Sequence, residues 1–146
     1  MISVIQRVSR ASVSVNQTTI ARIEQGLLAL IGIHQSDHEG TASRLIEKIL
    51  HYRVFSDDDG KMNLSLIDIA GGLLLVPQFT LVADTQKGRR PSFTTAASPK
   101  HGKALFQYIQ KHTASAFPNV QSGEFGANMQ VSLINDGPVT FTLTCQ

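Results

Sequence analysis

The sequence has few of the features that mark disulfide-bonded, membrane-spanning or exported proteins. Its single cysteine, Cys145, has no partner for an internal disulfide and lies in no metal-binding pattern. The longest apolar run, "GLLALIGI" from Gly26 to Ile33, is much shorter than the roughly 20 residues that cross a bilayer. The first ten residues show no apolar segment followed by a small-residue cleavage site. We therefore expect no signal peptide, no membrane contact and a cytoplasmic protein.

The sequence also lacks the short motifs of several large enzyme classes. It contains no G-x-S-x-G, no H-E-x-x-H, no Walker A motif and no G-x-G-x-x-G. His34 and His38 have a spacing that suits zinc on one helix face, but they straddle a predicted strand end, so we favour two surface histidines. "SDDDGKMN" lacks the ligand spacing and closing glutamate of a calcium loop. We predict no metal site and no cofactor.

The distribution of charge along the chain is more informative than the net charge, because three cations cluster in one segment. The net charge is +2 and the pI about 8.9, a mild excess that permits a polyanionic partner without requiring one. "KGRRPSF" holds three cations, Lys87, Arg89 and Arg90, followed by a proline and an aromatic residue. Such a loop suits phosphate contacts and base stacking, although a solvated basic loop is the more common case.

Hydrophobic periodicity predicts eight elements in the order βββ-α-β-α-ββ. The first strand covers Ile2–Val15 with one phase shift between Val8 and Ala11, and a turn at Asn16–Gln17 follows it. One helix covers Thr41–Arg53 with Asp37 as a plausible N-cap, and a second starts at Ser98 and Pro99. "GLLLVPQFTLVA" is predicted to be one apolar strand, and two final strands flank a Gly-Pro pair.

This order predicts one α+β domain (α/β sandwich-like) over residues 1–146. We expect a mixed, mostly antiparallel sheet with two amphipathic helices. Two helices are few for a sheet of this size, so an uncovered face would suit a dimer interface.

Three segments have residue types that suit binding or catalysis. In "VPQFT", Gln78 and Thr80 alternate on one face of the predicted strand, which suits an oxyanion hole, although an ordinary strand threonine is the favoured interpretation from this segment alone. In "GEFGANM", Phe125 and Met129 would hold a flat ring or belong to the core. In "NDGPVTF", the Gly-Pro pair is either a plain turn or a device that presents backbone carbonyls to a ligand.

Taken together, five segments resemble the D-aminoacyl-tRNA deacylases nearly end to end. They are "ISVIQRVSRASVSV", "RVFSDDDGKMNLSL", "LLLVPQFTLVAD", "KGRRPSFTTAASP" and "GEFGANMQVSLINDGPVTF". The family's Asn-x-Gly-Pro-x-Thr motif is intact at Asn135, Gly137, Pro138 and Thr140. Its Ser-Gln-x-x-Thr motif departs, because Pro77 replaces the serine before Gln78, Phe79 and Thr80.

The resemblance implies hydrolysis of the ester of D-aminoacyl-tRNA, and of glycyl-tRNA, with help from the tRNA 2′-OH. It implies a homodimer in which a cis Gly137–Pro138 peptide enters the partner's active site and rejects L-aminoacyl-tRNA. The implied roles of the other residues are oxyanion stabilisation and positioning by Gln78, Phe79 and Thr80; adenine binding by Phe125 and Met129; bracing of the Gly-Pro loop by Arg7; and tRNA phosphate binding by Lys87, Arg89 and Arg90.

The proline at position 77 leaves a second hypothesis open. It removes a hydroxyl and a backbone N–H, so the chain is alternatively a non-catalytic tRNA-binding module on the same fold. A general ester or peptide hydrolase is disfavoured, because no nucleophile–base pair is evident.

Overall fold

The computed structural model describes residues 1–146 and confirms the predicted α+β class. Two helices accompany a six-stranded sheet and a separate two-stranded hairpin. Neither helix is long and apolar enough to cross a membrane. The strands are β1 (Ile2–Val15), β2 (Thr18–Ile23), β3 (Gly26–Gly32), β4 (Phe55–Ser56), β5 (Met62–Leu64), β6 (Gly72–Pro77), β7 (Val120–Ser122) and β8 (Met129–Thr144), and the helices are α1 (Glu39–His51) and α2 (Pro99–Ala116).

The sheet is mixed, as predicted, and β1 pairs with three other strands. The order β2-β1-β3-β6-β7 places β1 beside β2 and β3, and β8 also pairs with β1. These three pairings are antiparallel, whereas β3–β6 and β6–β7 are parallel. Residues 2–8 of β1 pair with β3 and residues 11–15 pair with β2. The register along β8 shifts on both sides of Val8, which confirms the irregularity predicted between Val8 and Ala11.

Both faces of the central strands are buried. On one face, α1 and α2 contribute apolar stripes to the larger core cluster, which includes Leu73 and Leu75 of β6. On the other face, Leu74 and Val76 pack with residues of β1 and β2. The β1–β2 end of the sheet therefore covers this face of β6. Burial on two faces explains why β6 is apolar at consecutive positions rather than at alternate ones.

The second predicted helix start is confirmed. Pro99 is the first residue of α2, and the Ser98 hydroxyl accepts a hydrogen bond from the His101 amide at 3.3 Å. The turn at Asn16 and Gln17 is also confirmed, with φ angles of 49° and 66°.

The N-cap predicted for the first helix is wrong. Helix α1 starts at Glu39, with His38 as its N-cap, and it ends at His51 rather than Arg53. The carboxylate of Asp37 instead accepts hydrogen bonds from the Met1 ammonium and from the His34 amide, each at 2.7 Å. A buried ammonium is the stronger partner for this carboxylate, because a charge-assisted hydrogen bond is about twice as strong as a neutral one.

The single apolar strand predicted over "GLLLVPQFTLVA" is wrong beyond Pro77. Strand β6 ends there. A short 3-10 helix at Phe79–Val82 follows it and is called the 3-10 turn. Proline has no N–H to extend a ladder, which accounts for the stop. The two predicted final strands form one strand, β8, that is irregular opposite Arg7. The short strands β4, β5 and β7 were not predicted from the sequence.

Candidate active site

An apolar pocket of about 350 Å³ lies at the carboxyl end of β6. Its wall combines the end of β6, the 3-10 turn, the start of α2 and the loop before β8. This brings Phe125 and Met129, the predicted adenine-binding residues, together with Phe79 of the predicted catalytic segment. The lining residues are Pro77, Phe79, Ala97, Pro99, Phe125, Gly126, Ala127 and Met129.

The 3-10 turn positions the polar residues beside this pocket. The Gln78 amide donates to the Ile31 carbonyl at 2.7 Å, so Gln78 is held by the last bond of the β3–β6 ladder. Its side-chain amide then donates to the Thr80 hydroxyl. The prediction that Gln78 and Thr80 alternate on one face of a strand is therefore wrong. The two residues are joined by a hydrogen bond within a turn. The amides of Phe79 and Thr80 open this turn, where N–H groups lack intrahelical partners.

Pro77 occupies the junction between β6 and the pocket. It pairs with Ile31 at the end of the parallel ladder and is only partly buried. Its ring contributes apolar surface to the pocket wall. A serine there would place a hydroxyl at the pocket edge instead, so the substitution makes this edge less polar.

The Gly137–Pro138 segment forms a second feature, held in place by side chains. Asn135 accepts from the Val139 amide at 3.0 Å and donates to the Thr140 hydroxyl at 2.8 Å, so it closes the loop from within. The Gly137–Pro138 peptide bond is cis, Gly137 has a φ of 132°, and both residues are exposed.

Arg7 links the Gly-Pro segment to the body of the fold. Its Nε donates to the Asp136 carbonyl at 3.1 Å, and its Nη1 donates to the Val54 carbonyl at 2.7 Å. These two hydrogen bonds connect the segment through Arg7 to Val54, while the bracing role of Arg7 stays a prediction. No sequence pattern indicates Val54, because its contribution is a backbone carbonyl that any residue would supply.

The pocket and the Gly-Pro segment of one chain lie apart. None of residues 135–140 lines the pocket. Met129 lies at the pocket, and β8 pairs with β1 from there to Ile134 before it reaches the irregular segment. Five residues of strand span about 16 Å at the usual rise per residue. The structure therefore does not bring these two predicted site features together within one chain.

The three predicted phosphate-binding cations lie in an exposed loop. Its ends are joined by two backbone hydrogen bonds between Asp84 and Ser92, of 2.8 and 3.0 Å. Lys87, Arg89 and Arg90 are exposed and form no salt bridge. Their charges are therefore free to meet a polyanion. No group of three or more His, Cys, Asp or Glu side chains is arranged to hold a metal ion.

Comparison with known proteins places this architecture in one family. Residues 4–144 match the family model described as D-Tyr-tRNA(Tyr) deacylase. The chain is 57% identical over 143 residues to a D-aminoacyl-tRNA deacylase of Thioalkalivibrio sulfidiphilus (98% of this chain and 96% of the relative). It is 56% identical over 139 residues to a D-aminoacyl-tRNA deacylase of Ectopseudomonas mendocina (95% and 96%).

Two solved structures have the same fold as this chain. A structure titled as a c-Myc DNA unwinding element binding protein superposes with a TM-score of 0.93 at 36% identity, covering 98% of this chain and 97% of that one. A probable eukaryotic D-amino acid tRNA deacylase has the same fold, with a TM-score of 0.85 at 18% identity and 97% of each chain covered. The two relatives above are named D-aminoacyl-tRNA deacylase, and the chain thus belongs to the D-Tyr-tRNA(Tyr) deacylase family.

Proposed function

We propose that the protein is a D-aminoacyl-tRNA deacylase that hydrolyses the ester between a D-amino acid and the tRNA 3′ end, which yields free D-amino acid and tRNA. The observation that carries the proposal is the apolar pocket beside the Gln78–Thr80 turn, in a chain that belongs to this family. The proposal places the enzyme in the cytoplasm, where aminoacyl-tRNA is present.

The pocket takes the terminal adenine. Its volume of about 350 Å³ lies within the range of small-molecule sites. Phe125 and Met129 supply an aromatic ring and a polarisable thioether, both of which suit contact with a flat base. Phe125 is held in place from behind by Phe106 of the core, at a centroid separation of 6.3 Å.

The 3-10 turn stabilises the developing charge. The Phe79 and Thr80 amides donate to the oxyanion of the tetrahedral intermediate, while Gln78 and Thr80 orient the ester. The turn offers a threonine hydroxyl but no histidine or carboxylate to activate it as a nucleophile, so the terminal ribose 2′-OH assists the chemistry. A proline in place of serine at position 77 is tolerated under this mechanism, because no step requires a serine hydroxyl.

Chiral rejection comes from a second copy of the chain. In a homodimer, the Gly137–Pro138 segment of one subunit enters the pocket region of the other. Two observations support this: the segment is exposed, and it lies away from its own pocket. Backbone carbonyls of the segment accept hydrogen bonds from the substrate α-ammonium. An L-amino acid then directs its side chain into backbone, whereas a D-amino acid directs it outward. Glycine has no side chain, so glycyl-tRNA is also accepted.

The first test is deacylation of matched D-tyrosyl-tRNA and L-tyrosyl-tRNA without added metal. We expect rapid loss of the D-ester and an intact L-ester. Thr80→Ala should lower kcat/KM for the D-ester about ten- to hundredfold, because misplacement of a reacting group costs rates of that order. Ser115→Ala, at an exposed position at the end of α2 opposite to the pocket-lining Pro99, is the matched control and should keep the wild-type rate.

Equal loss of both esters would refute chiral rejection by Gly137–Pro138. Native mass spectrometry tests the dimer directly, and a monomeric active enzyme would refute insertion of the segment by a partner.

Pro77 motivates the alternative of a non-catalytic tRNA-binding module. Under this alternative the wild-type protein binds tRNA with a steep salt dependence but hydrolyses neither ester. Pro77→Ser then decides the cause. A large gain in the rate on D-tyrosyl-tRNA would show that the proline disables the site, whereas an unchanged rate in an active protein would show that it does not.

A further inference from the structure

We propose that Phe79 and Phe93 form an aromatic platform that stacks against the penultimate base of the tRNA 3′ end. This platform is a second nucleotide subsite, one position outside the adenine pocket. The inference rests on the proposed function, since it takes tRNA as the substrate. It concerns the two side-chain rings, whereas the mechanism above uses only the backbone amide of Phe79.

The two rings pack on each other in the open. Their centroids are 5.1 Å apart with an interplanar angle of 55°. Phe79 is 59% exposed and Phe93 is 39% exposed, whereas Phe55, Phe106 and Phe117 are buried. A pair of exposed aromatic rings at the rim of a pocket is an apolar surface of the kind that marks binding sites.

The positions of the two rings suit two successive nucleotides, one in the pocket and one outside it. Phe79 lines the adenine pocket together with Phe125 and Met129, whereas Phe93 does not line it. Phe93 therefore lies outside the lining of this pocket and packs against Phe79. A base attached on the 5′ side of an adenine in the pocket would lie over this outer part of the platform. The bases of the tRNA 3′ end are unpaired, so their faces are free to stack.

Phe93 is held at the base of the basic loop. The Ser92 amide donates to the Asp84 carbonyl at 3.0 Å, and the Phe93 carbonyl accepts from the Ala96 amide at 3.1 Å. The Thr95 hydroxyl donates to the Val82 carbonyl at 2.7 Å, which ties this segment to the 3-10 turn that carries Phe79. One segment thus positions both rings relative to each other.

The same loop carries three cations that are close to Phe93 in the sequence. Lys87, Arg89 and Arg90 precede Phe93 by three to six residues and have no acidic partner. Aromatic rings that stack bases beside cations that contact the backbone are the usual composition of single-strand nucleic-acid sites. This charge complementarity favours a nucleotide over an apolar segment of a second copy as the occupant.

The test compares two substrates that differ only beyond the adenosine. D-tyrosyl-tRNA covers the pocket and the platform, whereas the D-tyrosyl ester of adenosine covers the pocket alone. Phe93→Ala should raise KM for D-tyrosyl-tRNA about tenfold, a typical effect of losing one base–aromatic stack. It should leave kcat/KM for D-tyrosyl-adenosine unchanged. Phe93→Tyr retains a ring and should behave as wild type, and Ile67→Ala removes an exposed apolar side chain elsewhere as the control.

A binding measurement keeps this inference separate from the failure of the proposed reaction. Fluorescence anisotropy of a labelled CCA trinucleotide should show that the wild type binds it about tenfold more tightly than Phe93→Ala does, whether or not ester is hydrolysed. Equal loss on both ester substrates, or equal trinucleotide affinity in the two proteins, would overturn the platform. A loss of dimer in Phe93→Ala by native mass would overturn it too, since a second copy would then be the occupant.

Discussion

At the residue scale, Gly137 is the positive-φ glycine at which a side chain would also meet close neighbours. A Cβ built there would lie 2.7 Å from Val139 Cγ2 and 3.1 Å from Arg7 Nη2, and the φ of 132° is one that L residues rarely adopt. Gly60 also has a positive φ, of 77°, but a Cβ there would meet nothing within 4 Å. The restriction at Gly137 thus combines backbone conformation with contacts to its own loop and to its arginine brace.

Gly137→Ala should therefore change the Gly-Pro segment specifically. We expect a fall in D-tyrosyl-tRNA deacylation of about tenfold or more, hydrolysis of L-tyrosyl-tRNA, or both, because the displaced backbone no longer presents the same surface. Paired D- and L-ester assays measure this. Gly60→Ala is the matched control, since it introduces alanine at a positive φ in a distant turn. A Gly137→Ala enzyme with wild-type D-ester rates and intact L-ester rejection would contradict the assigned role.

At the element scale, a single carboxylate organises the hairpin of β4 and β5. Asp57 Oδ2 accepts from the Asn63 side chain at 2.7 Å, and Oδ1 accepts from the Lys61 and Asp59 amides at 2.9 and 3.0 Å. These hydrogen bonds hold the pKa of Asp57 below its usual value of 3.8, and the bond from Asn63 makes the largest contribution. The "DDDG" turn is thus ordered by hydrogen bonds to one carboxylate.

The pKa of Asp57 makes a prediction about acid stability. A lowered folded-state pKa means that the stabilisation by Asp57 is complete above its unfolded pKa of about 3.9 and is lost as the pH falls through the lower folded-state value. At neutral pH, Asp57→Asn should therefore have a lower urea midpoint than wild type. Below pH 4, its midpoint should fall less steeply with decreasing pH than that of wild type. The effect should be small because Asp57 lies in a surface turn and is only partly buried.

Urea titrations between pH 2 and 6 check this, with Asp58→Asn as the neighbouring control that removes none of the three hydrogen bonds. A decline in Asp57→Asn as steep as that of the wild type would refute the assignment.

At the scale of the whole molecule, the two ends of the chain are tied to each other and to the start of α1. The Met1 ammonium donates to Asp37 Oδ1 at 2.7 Å and to the Cys145 carbonyl at 2.8 Å. The Cys145 amide donates back to the Met1 carbonyl at 3.0 Å. The side chains of Met1 and Asp37 are 0% and 4% exposed, so this ion pair is buried.

Asp37→Ala should destabilise the protein strongly. Removal of one partner from a buried ion pair costs about 3–5 kcal/mol, because it leaves the other charge buried and uncompensated. Chemical unfolding of the protein with a free Met1 amine measures the loss. Glu24→Ala is the control, since the Arg22–Glu24 pair is exposed and 3.9 Å long, and it should change the free energy of unfolding by at most about 1 kcal/mol. A similar small change in Asp37→Ala would show that the pair adds no net stability.

Local signals in the sequence by themselves determined much of the fold. The alternation in β1 with its shift near Val8, the turn at Asn16 and the Ser98-Pro99 helix start all depend on residues within a few positions of each other. Such patterns reflect backbone preferences and the period of the buried face, so they are visible without any tertiary contact.

Tertiary structure alone decided the features that depend on distant partners. Asp37 resembles an N-cap in sequence, and only the arrival of the buried Met1 ammonium makes it an ion-pair partner. The end of β6 at Pro77 follows from the missing N–H, but the join between Gln78 and Thr80 and the contact of Phe79 with Phe93 follow from where the chain turns next. Phe79 and Phe125 meet at one pocket although 46 residues separate them. Contacts of this kind are set by packing across the whole core, which no local preference encodes.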